Sequence, residues 1–98
     1  MSADGFERNE VVVRHNVAER RFEAVVDGLR SVAEYEVEGD AVVFTHTLVP
    51  VELRGRGIAE KLVRAALGWA RAEQRRIVPA CSYVEAFVRR HPEFLSRP

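Results

Sequence analysis

The stretch Leu53-Arg54-Gly55-Arg56-Gly57-Ile58-Ala59 is where the chain changes its period. Before it, from Arg20 to Val49, apolar and polar residues alternate; after it, apolar residues recur every three or four positions. A period of two reads as strands with one buried face, and a period near 3.6 reads as an amphipathic helix. The stretch therefore leads from a sheet into a helix. It carries two glycines and two arginines, and no Ser, Thr, Asp or Asn stands at the helix start as a cap. Uncapped N–H groups at a helix start carry partial positive charge, and glycine lets a backbone approach an anion with no Cβ in between. An anion site formed by this turn is one reading; a glycine-rich turn with two solvated arginines is the other. An aspartate in place of Gly57 would test the first. On sequence grounds it should cap the helix and add stability while opposing a bound anion.

Upstream, the alternation is punctuated by turn pairs, as in an antiparallel meander of three strands. Phe22, Ala24 and Val26 face one way before the Asp27-Gly28 turn. Leu29, Ala33, Tyr35 and Val37 follow, with Arg30, Glu34 and Glu36 on the opposite face. Glu38-Gly39-Asp40 makes the next turn, and Ala41 to Val49 runs until Pro50, which has no N–H to continue a ladder. A further short strand is expected at Val11-Val12-Val13, at an edge or against Phe22 to Val26.

Downstream, Ile58, Leu62, Ala65 and Trp69 form a helical stripe flanked by Ala59, Val63, Ala66 and Ala70, fading near Gln74. Arg76 to Ala80 reads as a short strand that Pro79 confines to an edge or a splayed position. Ser82-Tyr83-Val84-Glu85 has the form of a capping box opening a second helix, which should end by His91, before Pro92.

With 98 residues the chain has room for one domain. We expect it to span residues 11–95 after a flexible lead-in of residues 1–10. Charged residues make up 31% and hydrophobic residues 47%, which excludes wholesale disorder. The longest apolar run, Ala41 to Phe44, is far short of the roughly 20 residues of a membrane span. The opening residues lack the apolar stretch of a secretory signal, so a cytoplasmic location is expected, without membrane partners. Net charge is zero, but residues 1–49 carry a net −5 and residues 50–98 a net +5, so an anion belongs with the second half. Cys81 is the single cysteine, and with His15, His46 and His91 it lacks the spacing of zinc ligands, so no metal is expected. Arg75-Arg76 and Arg89-Arg90 lack accompanying aromatic stacking residues and read as solvated faces, not a nucleic-acid surface.

Arg54, Gly57 and Ala59 fill the three places of the Arg/Gln-x-x-Gly-x-Gly/Ala signature, and the chain resembles the GNAT superfamily of acyl-CoA N-acyltransferases. With His46 to Pro50, Pro79 to Val84 and His91 to Phe94 it is similar to the small single-domain branch of YjdJ- and NATD1-type proteins, from about His15 to Phe94. The resemblance implies a minimal GNAT-like α/β (α+β) fold, a mostly antiparallel sheet followed by helix, strand and helix. It implies acetyl-CoA (coenzyme A) as cosubstrate and transfer of acetyl to an amine, with the pyrophosphate on the loop formed by Gly55, Arg56, Gly57, Ile58 and Ala59. It also implies that the backbone N–H of Val49 meets the acetyl carbonyl. The larger members build the acceptor pocket from helices between their first strands. Only tight turns stand at those places here, so the acceptor is not legible and a noncatalytic acyl-CoA-binding module or sensor is the alternative. A monomer is the expected state.

Two side chains are candidates for the chemistry. His46, on the strand leading to the acyl group, has a side chain whose ordinary pKa suits a general base, against the plain reading of a histidine satisfied by sheet neighbours. Cys81 stands before the second helix, where a thiolate is favoured, and should point into the gap between the two central strands. Resemblance to the small branch implies that such a cysteine takes the acetyl group covalently. The bland alternative is a small buried residue filling the base of the gap.

Overall fold

A computed structural model of the chain describes residues 11–95, so the expected flexible lead-in lies outside the described residues. Five strands form one sheet in the order of the sequence: β1 (Arg14–Asn16), β2 (Arg21–Val26), β3 (Leu29–Glu38), β4 (Ala41–Leu48) and β5 (Arg76–Pro79). The first four make an antiparallel meander. Helix α1 (Ile58–Ala72) carries the chain over to β5, which pairs parallel with β4, and α2 (Ser82–Arg90) follows. The first strand differs from expectation. Val11 and Val13 pack against the core without pairing, and the ladder begins three residues later, with His15 opposite Phe22. The His15 ring stacks on Phe22 at 4.0 Å and shares a hydrogen bond of 2.7 Å with the Tyr35 hydroxyl, which fixes the register of this edge.

The β2 and β3 faces follow the alternation, with Phe22, Ala24, Ala33 and Tyr35 buried and Arg30 and Glu36 exposed. Both helices cover that same face. Phe22, Tyr35, Val42 and Phe44 join Leu62, Val63, Ala66, Leu67, Ala70, Val84 and Phe87 in one core cluster. The Arg64 guanidinium of α1 lies 5.3 Å from the Phe87 ring centroid of α2, so the helices are neighbours. The buried stripe of α1 is rotated from the expected one. Leu67 and Ala66 sit at its centre, while Ala65 and Trp69 are only half-buried, because Trp69 leans outward against His15, 4.7 Å between ring centroids. Burying each Leu or Val of this stripe contributes about 1.5–3 kcal/mol.

Ser31 is fully buried on the core face of β3, and its hydroxyl has no hydrogen-bond partner among the described residues. An unsatisfied buried hydroxyl costs about 1–3 kcal/mol. Ser31→Ala is therefore expected to leave thermal stability unchanged or raise it, measured as the melting temperature; a clear drop would contradict this account.

Candidate active site at the seam between β4 and β5

The β3–β4 ladder slips once: Glu34 faces His46 but Tyr35 faces Phe44, so Thr45 is an extra residue bulged from β4. A bulge increases local twist and bends the strand away from its neighbour. Pairing with β5 ends at Phe44 and Pro79, and Pro79 has no N–H to prolong it. Beyond that rung the strands separate, leaving the β5-side edge of Thr45 to Leu48 open. This is the splay expected from Pro79, and the bulge on the facing strand contributes to it.

Cys81 lies at the closed end of this opening. Its N–H donates to the Phe44 carbonyl at 2.8 Å, and its thiol donates to Thr47 Oγ1 at 3.5 Å. Burial pushes the thiol pKa up, but the Thr47 hydroxyl and the N–H groups of Val84, Tyr83 and Thr47 favour the thiolate, leaving it below the usual thiol value. Thr47 N–H thus points into the seam, and the two-residue period of a strand carries Val49 N–H to the same side. The expected capping box is not formed. Cys81, not Ser82, is the N-cap, with extended backbone (φ −85°, ψ 135°), and Glu85 pairs with Arg89 instead of reaching back. A one-residue shift of the helix start puts the sulfur where a capping oxygen normally sits.

The turn from β4 into α1 is shaped by two glycines in the left-handed region, Gly55 at φ 85° and Gly57 at φ 78°. Gly57 is the N-cap of α1 and supplies no side chain, so the first-turn amides of α1 are left uncapped. A cavity of about 230 Å³ opens onto them, lined by Val49, Arg54, Gly55, Gly57, Ile58 and Ala59, with Glu60 and Tyr83 closing it. A second, of about 260 Å³, extends it along β4 past Thr47 and Leu48. Six of the seven residues expected around the coenzyme line this space. Arg56 does not: it reaches away to Asp27 of the β2–β3 turn at 3.1 Å. Arg54 donates from Nε to the Val49 carbonyl at 3.2 Å, bracing the loop on the strand end.

His46 is exposed, and strand parity places it on the uncovered face, opposite Thr47. The structure does not bring it against Cys81. Tyr83 and Glu60 line the cavity without having been singled out for it in the sequence, although each lies in the first turn of its helix. Burial, reinforced by the Glu60 charge, raises the Tyr83 phenol, so it is an O–H donor at neutral pH. Glu60 is held low mainly by its hydrogen bond from Arg64. No group of three or more His, Cys, Asp or Glu capable of holding a metal occurs among the described residues.

An uncapped glycine turn at a helix start, a splayed parallel pair and a cavity between them meet at one site. A family model for the GCN5-related N-acetyl-transferase matches residues 21–97. The chain belongs to the GCN5-related N-acetyltransferase family. It is 38% identical over 90 residues to Protein NATD1 of Bos taurus, covering 87% of this chain and 80% of the relative. Against Protein NATD1 of Homo sapiens the identity is 36%, with coverage of 87% and 80%. A GCN5-like protein from Staphylococcus aureus, solved by NMR in solution, superimposes with a TM-score of 0.67 over 85% of this chain and 82% of its own, at 24% identity. That last likeness shows the shared N-acetyltransferase fold.

Proposed function

We propose that the chain is an acetyl-CoA-dependent N-acetyltransferase acting on an amine, with residues 11–95 as its one catalytic domain. The observation that carries this reading is the continuity of the cavity from the uncapped start of α1 along β4 to Thr47, whose hydroxyl meets the Cys81 thiol. A pyrophosphate fits the α1 end, where amides and Arg54 supply positive potential without a Cβ in the way. The thioester then belongs beside Val49, whose N–H is the donor to the oxyanion in this reading; a well-aimed donor is worth about 3–4 kcal/mol in a transition state. Tyr83, protonated and across the cavity, is the group to return a proton to the departing coenzyme A thiolate. The rest of the reading is a cytoplasmic protein that needs no metal, and no described helix is long and apolar enough to cross a membrane.

Isothermal titration with acetyl-CoA, followed by incubation with amines and mass spectrometry, tests the proposal directly. Binding without transfer to small amines, peptides or proteins would instead establish the acyl-CoA-binding module. That reading draws support from the tight Asp27-Gly28 and Gly39-Asp40 turns, which add no walls to the uncovered sheet face.

The Cys81 thiol gives a separate readout. Its alkylation by iodoacetamide is expected to rise with pH through a midpoint below that of an unperturbed cysteine, because the thiolate is the attacking form. Coenzyme A should slow it. An acetyl adduct in the intact mass after acetyl-CoA alone, discharged by an added amine, would establish covalent transfer; a thiol inert in the folded protein would remove Cys81 from the chemistry.

A further inference from the structure

The glycine turn before α1 is short of packing contacts. Leu53 and Ile58 anchor its two ends, each only 1% exposed, and the four residues between them, Arg54 to Gly57, are all exposed. Neither glycine is packed, since a Cβ on Gly55 or Gly57 would meet nothing within 4 Å. Glycine also loses more conformational freedom on ordering than any other residue. Two arginines supply what packing does not. Arg54 ties the turn to the Val49 carbonyl at 3.2 Å and lines the cavity. Arg56, which does not line it, donates from Nη1 to Asp27 Oδ2 at 3.1 Å, across 29 residues of sequence. Among the described residues Arg56 and Asp27 are each other's only ion-pair partners.

The far end of this tie is fixed. Asp27 and Gly28 are the two residues between the paired Val26 and Leu29, with φ of 53° and 75°. Positive φ at both places marks a type I′ hairpin turn, whose twist matches that of the strands it joins. Asp tolerates this backbone, and Asn or Gly would serve the turn as well. What the carboxylate adds is the bond to Arg56, made from a post that six rungs of the β2–β3 ladder hold in place.

We propose that Asp27 is a positioning residue for coenzyme A: through Arg56 it holds the glycine turn from outside, so that the amides of Gly55 to Ala59 keep the direction a pyrophosphate needs. The inference rests on the N-acetyltransferase reading and adds the β2–β3 hairpin to the parts that govern donor binding. It gives the two arginines different tasks, Arg54 at the anion and Arg56 at the frame of the turn. The sign of the effect separates this role from plain electrostatics. Asp27 is an anion near a place for anions, so loss of its charge would strengthen coenzyme A binding if Coulomb repulsion alone acted. An Arg56 released to the phosphates would strengthen it further. A lost brace weakens binding, because the coenzyme must then order the turn itself. Both side chains are more than half exposed, at 51% and 65%, which limits the effect to about two- to fivefold.

Calorimetric titration with coenzyme A of the wild type, Asp27→Asn, Arg56→Gln and the double variant tests the proposal. Each single change is expected to weaken binding about two- to fivefold, and the double change no more than the worse single one, because both break the same contact. Amide NMR of the coenzyme-free protein adds a signature that general destabilisation does not give. Both single variants should move the Gly55 and Gly57 amides alike, with the melting temperature unchanged. Asp27→Gly is the second variant should Asp27→Asn alter the hairpin. Equal or tighter binding in the folded Asp27 variants, losses that multiply in the double variant, or Gly55 and Gly57 amides that stay in place overturns the proposal. Failure of the underlying reading shows separately, as coenzyme A that leaves the wild-type amides of Gly55 to Ala59 unmoved.

Discussion

Gly57→Asp is expected to weaken coenzyme A binding about a hundredfold or more while the domain remains folded. The new carboxylate would stand at the start of α1, a few ångström from the proposed place of the pyrophosphate. Two unit charges at that range repel by about 3–4 kcal/mol at an effective dielectric near 20. The backbone reverses what sequence alone says of stability. A capping aspartate needs extended backbone, whereas Gly57 lies at φ 78°, ψ 17°, so no capping bond compensates. A Cβ there meets nothing within 4 Å, leaving only conformational strain of about 1–2 kcal/mol. Affinity and stability therefore fall together. Gly57→Ala, which carries the strain without the charge, is the control. Calorimetric titration of both variants separates the two contributions, and equal affinities would place the anion elsewhere.

Phe87→Ala should be the most damaging of the core truncations for stability, at about 3–5 kcal/mol. The ring is fully buried, with the Arg64 guanidinium 5.3 Å from its centroid, His91 at 4.5 Å and Phe94 at 5.8 Å. A domain of this kind has only about 5–15 kcal/mol in hand. There is a chemical consequence as well as a packing one, because the first-turn amides of α2 favour the Cys81 thiolate. The urea midpoint should drop steeply, and Cys81 alkylation in the surviving folded fraction should move toward the pH dependence of an ordinary thiol. A loss under about 1 kcal/mol would mean that α2 is anchored by other contacts.

The meander, the crossover helix and the glycine turn were legible because each rests on a local rule: alternation for Phe22 to Val26, recurrence for Ile58 to Ala70, an absent cap before Ile58. What was not legible depends on a second element. Val11 to Val13 has the composition of a strand, but the ladder is set by His15 against Phe22 and Tyr35, twenty residues away in the case of the hydroxyl. Ser82 has the chemistry of a cap, but the hydrogen bond from Cys81 N–H to the Phe44 carbonyl advances the extended backbone by one residue and makes the cysteine the cap. The bulge at Thr45 left no mark in composition. It reverses the alternation after Phe44, so His46, which an unbroken strand would put on the face of Phe44, lies on the uncovered face and Thr47 on the covered one.

The two outer strands of the sheet are also its weakest invitation to other chains. β1 is three residues long and begins with the exposed Arg14, and β5 is four residues long, begins with exposed Arg76 and ends in Pro79. A sheet with one uncovered face would be a template for aggregation if it ended in long, flat, apolar edges. Here each outer strand offers few free N–H and C=O groups to seed cross-strand growth, and each carries an exposed cation that opposes stacking of like molecules. The domain can leave one face of its sheet open to solvent because its borders are short, charged and interrupted by proline.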